Sequence, residues 1–151
     1  TMENSARLLR EIADDPAGTE AAARRIAEDH RARGERMPGF GHHLHKPDDP
    51  RPPKLLAVAE AQGVDGRFIT ALRALAAAVD EAAGRHITIN ATGAIAAILL
   101  EIGLAPEILR GFAVISRAAG LVAQIREEQL KPSGRHLWTA GEEAVPYDAE
   151  K

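Results

Sequence analysis

The stretch 68-FITALRALAAAVDEAAG-84 sets Phe68, Leu72, Leu75 and Val79 four, three and four residues apart, and it closes on Gly84. Apolar residues at those steps fall on one side of an α-helix, and a glycine directly after them is a common helix stop. The same grammar recurs along the chain. Asn4 or Ser5 is expected to cap a first helix with Leu8, Leu9 and Ile12 inside. Asp14-Asp15-Pro16 reads as a turn, with the proline opening a second helix to about Arg33 that buries Ala21, Ala22, Ala23, Ile26 and Ala27 and stops at Gly34. Pro52 or Pro53 opens a third with Leu55, Leu56 and Ala59 inside, ended by Gly63. Ile95, Ile98, Leu99 and Ile102 form a further stripe ended by Gly103. Pro106 opens a long run with Ile108, Phe112, Ile115, Ala119, Val122 and Ile125 on one side. Gly111 and Gly120 leave open whether that run is one bent helix or two. The tail from Lys131 reads as irregular. The fold class is therefore all-α, with about six helices.

Composition agrees with this reading. Hydrophobic residues are 45% of the chain but aromatics only 3%, so the apolar mass is aliphatic and suits close-packed helices more than a sheet. A formal charge of −3 provides no field for nucleic acid or an acidic membrane surface. One Trp, one Tyr and three Phe leave little for stacking bases. With no cysteine there is neither disulfide nor thiol nucleophile, which suits a cytoplasmic protein. No uninterrupted apolar stretch long enough to cross a bilayer is read, the longest being Ala94 to Leu100. The amino terminus mixes Glu3, Arg7, Arg10 and Glu11 with its apolar residues, unlike a signal peptide.

Residues 35 to 53 break the helical grammar with prolines and glycines, and they crowd His42, His43, His45, Lys46, Asp48, Asp49 and Arg51 together. Gly39 and Gly41 flank Phe40 and are expected to leave backbone groups uncovered for the edge of a flat ligand. His42 can exchange hydrogen bonds or protons near neutral pH, and Arg51 offers a fork for a carboxylate. That set suits a small polycarboxylate. It also suits a polar surface loop with solvated histidines. The three histidines lack an acidic or cysteine partner at ligand spacing, so no functional metal site is expected.

The order of motifs adds a resemblance. Pro38-Gly39-Phe40-Gly41-His42, then Lys46, then Asp49-Pro50-Arg51, resembles the Pro-Gly-Phe-Gly-His…Lys/Arg…Asp-Pro-Arg signature of the citrate synthase and citryl-CoA lyase family. Asn90-Ala91-Thr92-Gly93-Ala94-Ile95 is similar to the family's Asn-Val-Asp-Gly-like segment. Ser116-Arg117-Ala118-Ala119-Gly120 and Gly134-Arg135 resemble its two later arginine motifs. The resemblance implies a citrate synthase-like small domain over residues 1–115. Residues 116–151 would form the C-terminal helix and tail of the family's large domain.

It also implies roles. His42 would hydrogen-bond the oxaloacetate carbonyl or the citryl hydroxyl. Arg51 and Arg117 would hold substrate carboxylates, and Arg135 would reach into a partner subunit's site. The backbone of Met37, Pro38, Gly39, Phe40 and Gly41 would read the adenine of coenzyme A, and Lys46 would approach its phosphates. The coenzyme A thioester would be a substrate, with no cofactor held permanently. A homodimer, or association with an N-terminal portion, would complete the fold.

Two departures qualify the resemblance. Thr92 occupies the catalytic position where the family has an aspartate base, and no Asp or Glu lies between Glu81 and Glu101 to replace it. A threonine hydroxyl does not remove a carbon-bound proton unaided. Asp80 and Glu81 read as surface charges. The family's first catalytic histidine, in a His-Gly segment, is expected ahead of Thr1, so the chain alone is expected to be inactive. The Ala/Ile-rich helix after Asn90 is similar to lyase-like relatives, so the expectation is a citryl-CoA lyase-like protein that makes or breaks the bond between an acetyl-CoA-type enolate and oxaloacetate. The other expectations are a non-catalytic homologue that binds coenzyme A or a polycarboxylate, and a helical assembly fragment.

Overall fold

A computed structural model describes residues 2–147. Among these residues there are seven α-helices and no strand. They are α1 (Met2–Asp14), α2 (Thr19–Ala32), α3 (Arg51–Ala61), α4 (Arg67–Ala83), α5 (Ala91–Glu101), α6 (Leu109–Leu130) and α7 (Gly134–Ala144), with a 3₁₀ turn at Pro106–Ile108 before α6. The chain divides into two compact units, Thr1–Gly111 and Phe112–Lys151.

In the first unit α5 is the central helix. It packs on α1, α3 and α4, while α2 packs on α4 and α1. Ala94, Ala96, Ala97, Leu99 and Leu100 of α5 are buried. Small side chains on nearly every face let three neighbours approach, so α5 is apolar all round rather than amphipathic. The stripe Phe68, Leu72, Leu75 and Val79 is the core face of α4. Phe68, Leu72, Leu75 and Val79 are buried, together with Ile69, Ala71 and Ala78. Each large aliphatic side chain removed from water contributes about 1.5–3 kcal/mol. Gly84 ends α4 in the left-handed conformation at φ 64°, where a side chain would be strained.

Several boundaries differ from the sequence reading. Asn4 and Ser5 lie inside α1, which already runs at Met2, and Ser5 is buried with Leu9 and Ile12. Pro16 does not open α2. The Asp15 carboxylate accepts from Ala17 N at 2.8 Å and makes a local turn, and the helix starts after Gly18. Ala21 is exposed, whereas Ala22, Ala23, Ile26 and Ala27 form the buried face. Asp80 is not a free surface charge, because one of its oxygens accepts from Ile87 N at 2.7 Å.

Helix α6 begins at Leu109, at the end of the first unit, and continues through Gly111 and Gly120 as one helix. Its Val114, Ile115, Val122 and Ile125 side chains are exposed. The run Pro106–Leu130 is 25 residues long with a mean hydropathy of 1.4 over an 18-residue window, so by length and composition it could cross a bilayer. A search for uninterrupted apolar runs misses it because Arg110, Arg117 and Arg126 interrupt it. Arg117 lies near its middle, where a guanidinium in hydrocarbon costs about 3 kcal/mol, and that weighs against a span. The tail from Lys131 is also not irregular. Glu128 accepts from Ser133 N, Ser133 Oγ and Gly134 N at 2.8–2.9 Å. It thereby satisfies amides at the start of α7 that have no partner within that helix.

Candidate functional site

The loop 37–50 is tied to the start of α5 by its backbone. Asn90 N donates to Gly39 O at 2.9 Å, Gly41 N donates to Thr88 O at 2.8 Å, and Asn90 Nδ2 donates to Gly41 O at 3.0 Å. Asn90 also caps α5, its Oδ1 accepting from Thr92 N and Gly93 N. The two chains approach closely because both contact residues are glycines. A Cβ on Gly93 would meet Gly39 O at 2.6 Å, and Gly39 itself adopts φ +89°. The Gly39 carbonyl and both polar groups of Gly41 are therefore occupied within the fold. The expectation that the glycine flanks leave them uncovered for a ligand is corrected on that point. The segment Thr88–Asn90 that leads into α5 claims them.

His42 is half-buried, and its Nδ1 accepts from Leu44 N and His45 N, both at 3.1 Å. A nitrogen that accepts two amides carries no proton, so the ring is neutral with its proton on Nε2, which is left to donate. The His43 and His45 rings lie 4.7 and 4.4 Å from it, centroid to centroid. Desolvation first, and then these neighbours and Arg51, hold the His42 imidazole below its ordinary value. The site is thus built to present a neutral N–H donor at physiological pH.

Asp49 organises the other end of the loop. Its side chain is fully buried and its backbone N donates to Thr88 Oγ1 at 2.9 Å. Oδ1 accepts from Arg51 N and Nε at 3.1 and 2.8 Å; Oδ2 accepts from Arg51 Nη2 at 2.7 Å and Ala91 N at 3.3 Å. The Arg51 hydrogen bonds, ahead of the opposing effect of burial, hold this carboxyl well below the usual range. Sequence reasoning offered the Arg51 fork to a ligand. The structure gives its Nε–Nη2 edge to Asp49, so the remaining Nη1 edge of a half-exposed guanidinium is what a carboxylate could meet.

Met37, Phe40, Gly41, His42 and His43 line one side of a cavity of about 730 Å³ between α2, the loop and the end of α4. Val79, Ala82 and Ile87 give it an apolar floor, and Arg31, Arg36 and Arg85 bring cations. His30 Nδ1 is buried beside it without a hydrogen bond, 3.5 Å from the Glu35 carboxylate. Pro38, Gly39, Lys46 and Arg51 do not line it. Thr92 is half-buried in the first turn of α5. Arg117 on α6 and Arg135 on α7 belong to the second unit. Arg31, Arg36, Arg85 and His30 were missed because in sequence they are ordinary residues at or just past helix ends; only packing of α2 on α4 brings them to one cavity. Among the described residues no three His, Cys, Asp or Glu side chains are grouped as metal ligands.

The family model for the citrate synthase C-terminal domain matches residues 1–137. This chain belongs to the citrate synthase family. Among solved structures, this citrate synthase family member is similar to citryl-CoA lyase from Hydrogenobacter thermophilus, at 27% identity and a TM-score of 0.75. The likeness covers 87% of this chain and 49% of that one, so the chain spans about half the length of the lyase. Comparison with curated sequences gave no match. The family membership and the all-α fold expected from residues 38–51 and from the helical stripes are both established by these findings.

Proposed function

We propose that the protein acts on a coenzyme A thioester and a small polycarboxylate, with citryl-CoA lyase-like carbon–carbon chemistry in the assembled protein. The observation that carries this reading is His42. A neutral ring with its Nε2 proton free, in the wall of a cavity that joins an apolar floor to three arginines, matches what such a substrate pair requires. The Nε2–H would donate to the carbonyl of oxaloacetate, or to the citryl oxygen that becomes it. Arg51 would hold a carboxylate through its Nη1 edge. The apolar floor suits an adenine, and Arg31, Arg36 and Arg85 suit phosphates.

In the cleavage direction the citryl hydroxyl gives its proton to water and its oxygen becomes the carbonyl oxygen of a ketone. The bond between the two carbons breaks, and its electron pair passes to the thioester as an enolate. Water returns a proton to the enolate carbon, which releases the acetyl thioester. The chain supplies polarisation and binding for these steps. Arg117 and Arg135 would hold further carboxylates in an assembly with a second copy or an N-terminal portion.

Melting of the protein with coenzyme A, oxaloacetate and citrate tests the reading. A ligand at about a hundred times its Kd stabilises by roughly 2.7 kcal/mol. Coenzyme A should raise the Tm, and His42→Ala should remove the shift caused by oxaloacetate. No shift with any of the three refutes the proposal.

Thr92 favours a second reading, a homologue that binds both ligands without turnover. It predicts binding in the assembled protein without product, and product formation once Thr92→Asp supplies a carboxylate. Turnover by the unsubstituted protein excludes it.

A further inference from the structure

His86 lies in the connection between α4 and α5 and touches two carboxylates. Its Nδ1 is 2.6 Å from Asp80 Oδ2 on α4, and its Nε2 is 2.8 Å from Asp48 Oδ1 in the functional loop. A neutral imidazole has one donor and one acceptor, so it cannot serve two carboxylates at these distances. The imidazolium serves both with charge-assisted hydrogen bonds. The two ends are unequal. Asp80 is also held by Ile87 N, whereas Asp48 has no other hydrogen-bond partner among the described residues.

The ends of the loop are pinned to Thr88, Gly41 through its backbone N and Asp49 through its own. Between them, the arc 42–48 makes one hydrogen bond that leaves its own segment among the described residues, in which Asp48 Oδ1 accepts from His86 Nε2. Leu44 at its crest is 73% exposed, so apolar packing does not substitute for that tie. The arc carries Lys46 together with His42 and His43, which line the cavity; Arg85 and Ile87, on either side of His86, line it too.

We propose that Asp80, His86 and Asp48 form a pH-sensitive latch that clamps the arc 42–48 while His86 is protonated and releases it as pH rises. On deprotonation the Nδ1 proton stays with the closer Asp80, and the bare Nε2 faces Asp48, which is repelled. The charged groups meeting the ring are these two carboxylates, one from each element packed against it. Arg85 precedes it in the connection and makes no ion pair among the described residues. Asp80 first, and then Asp48, raise the His86 imidazole above its ordinary value. The clamp is therefore complete below that ordinary value and lost as pH climbs through the raised one. That the arc bears a coenzyme site rests on the function proposed above; the latch does not.

The test is an NMR titration of His86 together with amide exchange of Leu44 and His45, corrected for the intrinsic pH dependence of exchange. Both amides donate to His42 Nδ1 inside the arc, so they report the internal order that the tie to His86 would impose on it. Data are taken above the range in which His42 itself protonates. His86 should titrate above its ordinary value, and Asp48→Asn should lower that titration. Protection at the two amides should fall between the acidic and alkaline limits, tenfold for each pH unit separating the His86 titrations of the latched and Asp48→Asn proteins. His86→Gln should abolish the pH dependence. Should that variant unfold, Asp48→Asn removes the latch from the loop side alone. Titration of His86 at its ordinary value overturns the proposal, as does protection that is independent of pH or equally dependent in the variants. Coenzyme A affinity that weakens over the same pH range would extend the latch to ligand control. Absence of coenzyme A binding at every pH would remove the coenzyme reading and leave the latch to the exchange data.

Discussion

Replacing Gly93 by alanine sets two physical effects against each other. Alanine in a helix is favoured over glycine by about 0.5–1 kcal/mol on backbone entropy. Propensity alone therefore predicts a more stable protein. The structure predicts the reverse. The new Cβ would lie 2.6 Å from Gly39 O and 3.1 Å from Gly39 Cα. An ordinary contact needs nearly an ångström more, and the obstacle is backbone already committed to Asn90 N. Overpacking of this kind costs about 1–3 kcal/mol, so the net expectation is a loss of roughly 1 kcal/mol and at most about 2.5 kcal/mol. For a unit of this size a loss of roughly 1 kcal/mol is a fall in Tm of about 4–8 °C. Gly120→Ala in α6 is the control, because its Cβ would meet nothing within 4 Å. It should gain the propensity term without the clash. Thermal unfolding followed by circular dichroism at 222 nm measures both. If Gly93→Ala stabilises as Gly120→Ala does, the loop does not dock on α5 as described, and the positioning of His42 argued from that docking fails.

Asp49→Asn should cost about 1–3 kcal/mol at neutral pH, because an amide NH₂ must face either Arg51 or Ala91 N where only an acceptor fits. The difference from the unsubstituted protein should hold above the ordinary carboxylate range and vanish as pH falls through the lowered value of Asp49, since a depressed acid stabilises only while ionised. Denaturant unfolding at a series of pH values checks this, and a difference that persists in strong acid refutes it. Glu128→Gln should leave α6 intact and fray the first turn of α7, seen as faster amide exchange from Gly134 onward; unchanged exchange would mean the carboxylate is not what starts that helix.

The helices were legible because their buried faces are written in simple periods. Phe68, Leu72, Leu75 and Val79 needed no knowledge of a partner to be placed on one side. The boundaries were less legible where a side chain supplies the cap from elsewhere. Pro16 looked like a helix opener, but Asp15 and Gly18 make a turn of it. The start of α7 depends on Glu128, five residues before Ser133 and in another helix. At the site, His42 and Arg51 stood out by motif. Their working state did not. The neutrality of His42 comes from desolvation first and its ring orientation from two amides on Nδ1, and the orientation of Arg51 comes from a buried carboxylate contacting α5. Asp80 read as a surface charge because its partners, His86 and Ile87, meet it only after the chain turns at Gly84. The arginines of the cavity wall come together only in three dimensions.

Glu101, the last residue of α5, accepts from Phe68 N and Ile69 N at 2.6 and 2.9 Å, while Asn90 fixes the helix at its other end. The helix is thus fastened at both tips to different parts of the chain, and it works as a spacer of set length. One inserted residue would lengthen it by about 1.5 Å and turn one tip about 100° against the other. Either Glu101 would swing away from the amides it serves, or Thr92 would face a new direction. Insertions and deletions should therefore be tolerated in the turn after Gln62, yet excluded from the eleven residues Ala91–Glu101.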